Sequence, residues 1–191
     1  MGKHVEYRPE WVREDFIDFL AEKVNPLWAW KKAKARIVAK HHLSDDFVYM
    51  QLQPNHHFKA TDYQAGQSIL VTVLIAGVRW QRSYSIVEII ENGNLVIAVK
   101  QQGKVSNALT QQPVKSVVEI SQTQGEFVLK TQPHSALMIA SGSGITAIYA
   151  LIKAALKRPQ TVSNIDLIYF TRDDSFHAEL QQLTEHYPQF K

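Results

Sequence analysis

The chain is 191 residues long, has no cysteine and carries a net charge of +3 with an isoelectric point near 9.0. That removes disulfides, thiolate metal sites and cysteine-held iron–sulfur clusters from within it, and the charge is too slight to argue for nucleic acid, though consistent with docking an acidic protein. A hydrophobic content of 45% and a charged content of 20% are those of an ordinary globular protein with room for one large or two small domains.

The start, M-G-K-H-V-E-Y-R-P-E, has no signal-peptide core. No run further on nears the roughly 20 apolar residues of a membrane span, so a cytoplasmic protein without a transmembrane segment is expected. Pro9 to Lys23 has helix grammar: proline at the start, the acids Glu10, Glu14 and Asp15 early, and Val12, Phe16, Phe19, Leu20 and Lys23 at three-to-four spacing. Asn25-Pro26 stops it, and Leu27, Trp28 and Trp30 read as an apolar clamp that fastens the helix to the body. Lys31 to Lys40 holds five basic and no acidic residues, which read as a solvated strand edge.

From residue 35 to 129 the period becomes that of strands. Ala35 to His42, Asp46 to Gln53, Ser68 to Ala76, Arg79 to Glu88, Asn94 to Gln101 and Ser116 to Thr123 are short, rich in Val, Ile and Tyr, and divided by turn signals such as Ala76-Gly77 and Asn92-Gly93-Asn94. Strands so spaced predict a closed antiparallel barrel, interrupted by a short helix over Val105 to Gln112. After Pro133 the order is strand (Ala136 to Ala140), helix (Gly144 to Lys157), strand (Ile165 to Phe170), helix (Phe176 to His186), the opening of a parallel sheet. The expected fold class is mixed β and α/β. It comprises an N-terminal helical segment over 1–33, a six-stranded antiparallel β-barrel over 34–132 and a partial α/β domain over 133–191.

Three stretches carry chemistry. In W-Q-R-S-Y-S-I, Trp80 to Ile86, strand alternation lets Arg82 and Tyr84 share a face. A guanidinium that forks onto phosphate, a phenol ring that covers a flat heterocycle and the hydroxyls of Ser83 and Ser85 meet the needs of a flavin nucleotide; the alternative is an amphipathic strand with a solvated arginine. Ser141-Gly142-Ser143-Gly144-Ile145-Thr146-Ala147 fits G-x-G-x-x-A between a strand and a helix, where the helix start offers amides and a positive dipole end to a pyrophosphate. Lys100 to Asn107, with Gly103 for a tight turn and Ser106 at a helix start, offers a second anion seat or simply an N-cap.

Competing motifs fail on position. Gly103-Lys104 is followed by Val105 instead of the Ser or Thr of a P-loop, and Ser143 has Ser141 where a hydrolase elbow needs glycine. The pairs His41-His42 and His56-His57 lack chelating geometry on one strand, so no metal site is expected. Asp45-Asp46 and Asp173-Asp174 read as turns and caps.

In their order, R-S-Y-S at 82–85, G-K-V-S at 103–106 and S-G-S-G-I-T at 141–146, with A-G-Q at 65–67 and Gly125-Glu126-Phe127, resemble the ferredoxin-NADP reductase superfamily. The nearest likeness is to bacterial flavin reductases that carry a C-terminal plant-type ferredoxin domain, absent here, and feed oxygenases or fatty acid desaturases. The resemblance implies FAD as cofactor, with Arg82 at its pyrophosphate, Ser83 among its contacts, and Tyr84 and Ser85 as the catalytic pair at the isoalloxazine. Val99, Lys100, Gly103, Lys104, Val105 and Ser106 would add FAD contacts, largely through backbone. Gly142, Ser143, Gly144, Ile145 and Thr146 would face the nicotinamide nucleotide, with Arg172 favouring NADPH while nearby Asp173 keeps NADH open.

The implied partner is a 2Fe-2S ferredoxin domain or protein, and beyond it an oxygenase or membrane desaturase. Ala147 stands where the family commonly has proline. The sheet stops after two βα units, so a truncated nucleotide-binding domain with an open edge on its second strand is expected. A reductase-like module that binds flavin or a partner without turnover is the alternative.

Overall fold

A computed structural model of the chain describes residues 20, 23–28, 31–130, 134–157 and 162–191. Six strands pair antiparallel around a closed barrel: β1 (Lys34–His42), β2 (Phe47–Pro54), β3 (Ser68–Ile75), β4 (Val78–Ile89), β5 (Leu95–Lys100) and β6 (Val117–Ile120), in the order β1-β2-β5-β4-β3-β6. Closure comes from β1, which pairs with β2 along one edge and with β6 along the other. Alternation places Ile37, Met50, Leu52, Ile69, Ile86, Leu95 and Ile97 in the interior, all fully buried. The hairpin between β3 and β4 turns on two residues, Ala76 and Gly77, with φ of 50° and 78°; two left-handed residues are what a turn matched to strand twist demands.

Helix α1 (Lys104–Gln111) leaves the barrel wall after β5. Its C-terminal end is held by Lys40, whose Nζ donates to the carbonyls of Thr110 at 2.8 Å and Gln112 at 2.7 Å, a cation at the negative end of a helix dipole. The basic run is therefore not simply a solvated edge, since Lys34 is buried as well and its Nζ donates to the carbonyls of Pro26 and Trp28 at 3.3 and 3.2 Å. These bonds also correct the expected apolar clamp: Trp28 is 53% exposed, and the preceding segment is tied down through its backbone carbonyls. The helix expected over Pro9 to Lys23 and the ring of Trp30 fall, for the most part, outside the described residues.

Beyond the barrel, β7 (Ser135–Ser141) and β8 (Asn164–Phe170) run parallel, linked by a 3₁₀ turn at Gly142–Gly144 and by α2 (Ile145–Leu156); α3 (His177–His186) follows β8. The start of β2 is buried on both faces: Val48 and Met50 point into the barrel, while Phe47 and Tyr49 point out to join Ile148, Tyr149 and Ile152 of α2 in a second core. Phe176 locks this junction. It is fully buried with φ of 65°, and its ring lies 5.8 Å from Phe47, 5.8 Å from Tyr49 and 5.3 Å from Tyr149. Lys153 of α2 adds an ion pair to Glu88 of β4.

The other face of the parallel pair shows Leu137, Ile139, Ile168 and Phe170, between 45% and 63% exposed. The outer edge of β8 is not left bare as expected. After Tyr187 the chain returns along it, with Phe190 bridged in parallel to Ile165, Leu167 N–H donating to Lys191 O at 2.8 Å and Lys191 N–H to Ile165 O at 2.9 Å. No helix among the described residues is long and apolar enough to cross a membrane.

Candidate functional site

A cleft of about 310 Å³ opens where the barrel wall meets the turn between β7 and α2. Arg82, Ser83, Tyr84 and Ser85 of β4 form one side, Lys100, Gln102 and Ser106 the next, and Ser143, Gly144 and Thr146 the third. Three sequence stretches up to 64 positions apart thus share one hollow, and every one of them was singled out by its motif. A larger hollow of about 570 Å³ beside β3 and β6 shares none of these residues.

Arg82 is exposed and donates from Nη1 to the carbonyl of Gln81 at 3.2 Å. Tyr84 is buried, a member of the barrel core whose ring stays at the cleft wall, and its hydroxyl sits 3.0 Å from Ser106 Oγ. That bond ties β4 to α1 and fixes the ring. Burial pushes the phenol upward in pKa, and the Ser106 hydrogen bond and the Arg82 charge offset this only in part, so it stays a neutral donor or acceptor. Ser83 Oγ donates to Ser68 Oγ at 2.8 Å across the hairpin.

Two helix starts border the cleft, and neither has a side-chain cap. At α1 the N-cap is Gly103, φ 87°, and a Cβ there would meet nothing within 4 Å. The amides of that first turn have no side-chain cap, as an anion seat requires. At α2 the N-cap is Gly144; Gly142 before it has φ of 51°, and Thr146 Oγ1 donates back to Ser143 O at 2.9 Å.

Several expected contacts are not side-chain contacts. Val99, Val105 and Ile145 are buried in the two cores, which leaves only their backbone for a ligand. Lys104 Nζ lies 4.5 Å over the Trp80 ring, Gly142 supplies conformation, and exposed Arg172 does not line the cleft. Gln102 and Ala98 do line it, although neither residue type announces itself in the sequence. His41 packs on Tyr49 and His56 on His57, with centroids 5.0 and 3.9 Å apart.

Lys100 also forms an ion pair, its Nζ 3.3 Å from Asp173 Oδ2 in the loop after β8. Burial pushes the Asp173 carboxyl up, but the Ser175 N–H, Lys100 and Thr171 outweigh it and hold the group below the usual carboxylate range.

The oxidoreductase FAD-binding domain family matches residues 34–129, half of the chain. The chain belongs to this family of FAD-binding oxidoreductase domains. It is 30% identical over 179 residues to an NADPH oxidoreductase of Mycobacterium tuberculosis, covering 87% of this chain and 46% of that one. It is 26% identical over 178 residues to NADH-cytochrome b5 reductase 1 of Mortierella alpina, covering 90% and 60%. Flavohemoglobin from Malassezia yamatoensis, solved with bound FAD and heme, superposes with a TM-score of 0.75 at 22% identity over 84% of this chain and 44% of that one. The chain spans about half the length of the curated relatives it matches.

The donor set suits a flavin dinucleotide. The cleft presents a forked cation in Arg82, a fixed aromatic ring in Tyr84, hydroxyls at Ser85 and Ser106, and the open glycine before uncapped amides at α1.

Proposed function

We propose that this chain is the flavin-binding part, with the opening of the nicotinamide-nucleotide-binding part, of an electron-transfer flavoprotein. It would take hydride from NAD(P)H onto FAD and pass single electrons to a 2Fe-2S ferredoxin, as a domain or separate protein, that serves an oxygenase or a desaturase. The observation that carries this reading is the convergence of the β4 motif, the α1 start and the β7–α2 turn on one cleft. The division into 1–33, 34–132 and 133–191 and a cytoplasmic location belong to the same proposal.

FAD supplies the ring that accepts hydride and releases electrons one at a time. The chain's own residues bind and orient. Arg82 would hold the pyrophosphate together with the backbone amides of Gly103 to Ser106, and Tyr84, fixed by Ser106, would offer its ring to the isoalloxazine. Ser85, on the cleft wall, would hydrogen-bond the edge of that ring. Ser143 to Thr146 would hold the nicotinamide nucleotide at the start of α2, on the wall of the cleft beside β4. Arg172 supports NADPH, in keeping with the name of the mycobacterial relative, while the Mortierella relative is named for NADH.

A second reading, a module that binds flavin or a partner protein without turnover, draws on the exposed apolar face of β7 and β8. Purified protein should be yellow, and Arg82→Ala should lower FAD affinity by about 1.5 to 3 kcal/mol. Unchanged affinity would remove Arg82 from the site. Bleaching of the flavin by NADPH supports the electron-transfer reading, and a yellow protein that no nicotinamide nucleotide bleaches supports the second.

A further inference from the structure

The ion pair between Lys100 and Asp173 joins residues 73 positions apart, and its two halves have different attachments. Lys100 ends β5 and lines the cleft beside Ser143, Gly144 and Thr146, and its ammonium lies 5.4 Å from the centre of the Phe47 ring. Asp173 divides its carboxylate. Oδ1 accepts from Ser175 N–H at 2.9 Å, from Thr171 Oγ1 at 3.2 Å and from the Ser175 hydroxyl, while Oδ2 faces Lys100. One oxygen builds the loop; the other holds the lysine. The loop has further support without Lys100, since Ser175 Oγ also meets Ser44 Oγ at 3.1 Å and Phe176 is locked among three aromatic rings.

We propose that Asp173 sets the nucleotide affinity of this cleft, an internal competitor for Lys100 that governs how tightly the phosphates of a nucleotide bind over Ser143 to Thr146. The inference rests on the nucleotide-binding reading above. A lysine ammonium is a point charge on a flexible stem and can turn from a carboxylate to a phosphate without rebuilding its surroundings. The pair is half-sheltered, with side chains 21% and 22% exposed, so its attraction is screened less than that of a surface pair. An incoming phosphate must displace Asp173 from Lys100, and the observed affinity is lower by the strength of that contact. The cleft otherwise holds Arg82 as its second cation. With Arg82 given to the FAD pyrophosphate, neutralising Asp173 therefore frees the Lys100 ammonium for the second nucleotide.

Asp173→Asn is the informative change, because an amide oxygen still accepts from Ser175 N–H and Thr171 while the negative charge is gone. In calorimetric titrations of the FAD-loaded protein with NADP⁺ and NAD⁺ at low salt, Asp173→Asn should bind both about fivefold more tightly. The gain should shrink as ionic strength rises, and FAD affinity should hold while the melting temperature falls slightly with the loss of the Lys100 pair. Lys100→Gln should weaken both nucleotides, and adding Asp173→Asn to it should change nothing further. Unchanged nucleotide affinity in Asp173→Asn, or an equal gain in the Lys100→Gln background, overturns the proposal and leaves the flavin reading standing. Failure of the yellow wild-type protein to bind either nucleotide overturns the proposal together with the nucleotide half of that reading, and a colourless protein overturns the reading itself.

Discussion

The barrel and the parallel pair beyond it meet the same requirement, covering apolar faces and strand edges, by different means. The barrel closes on itself, so each strand has two neighbours and the interior rows from Ile37 to Ile97 are sealed without help. The parallel pair covers one face only, with α2 and with Phe47, Tyr49, Val87 and Ala98 on the outside of the barrel, and it leaves Leu137, Ile139, Ile168 and Phe170 exposed. Parallel sheets are ordinarily covered on both faces. The second half therefore takes part of its core from the outer wall of the barrel, while the barrel interior is built without it, and the cleft lies on the seam between them.

The change with the largest expected effect tests whether the halves can be separated at all. Gly66, φ 93°, lies where a Cβ would come 2.0 Å from the carbonyl oxygen of Phe127 and 3.0 Å from Leu151 Cδ2 in α2. Gly66→Ala strikes backbone on the barrel side and side chain on the other, and should cost roughly 3 to 5 kcal/mol in urea unfolding; a loss below about 1 kcal/mol would show that the seam yields easily. Phe176→Ala comes next. It should cost about 3 kcal/mol, confined to the second half, so that amides of β7, β8 and α2 exchange early while those of the barrel stay protected. Barrel amides that exchange in step with them would abolish the asymmetry. Lys40→Ala, the smallest of the three, removes a cation from the end of α1 and should cost about 0.5 to 1 kcal/mol, seen as faster exchange over Lys104–Gln111 alone.

Much of this was legible in the sequence because the barrel strands alternate and their turns are marked by glycine and asparagine. All six were located, and the boundaries moved by only a residue or two except at β6, which stops at Ile120 where Thr123 was expected. The doubly buried start of β2 reads as a strand through Phe47, Val48 and Tyr49, yet nothing in it says that two of those side chains face outward to a second core. The return at 189–191 was missed because three residues after Tyr187-Pro188 show no period. In the site, Arg82 to Ser85, Ser106 and Ser143 to Thr146 were legible as residue types demanded by phosphate and flavin chemistry. Gln102 was not, since a glutamine after a strand signals nothing, and Asp173 looked like a turn residue because its partner Lys100 is met only in three dimensions.

The ring closure between Lys34–Arg36 of β1 and Val117–Glu119 of β6 has a consequence for how the protein is made. A ribosome delivers β1 first and β6 last among the barrel strands, so the first strand waits for most of the barrel to emerge before its second edge is satisfied. Sequence-distant pairings of this kind are slow steps in folding, and through that interval the nascent chain presents one unpaired edge of the strand that carries Ala35, Ile37 and Ala39. The basic side chains interleaved with them, Lys34, Arg36 and Lys40, keep that waiting edge charged, and charge is what discourages one nascent strand from adding to another.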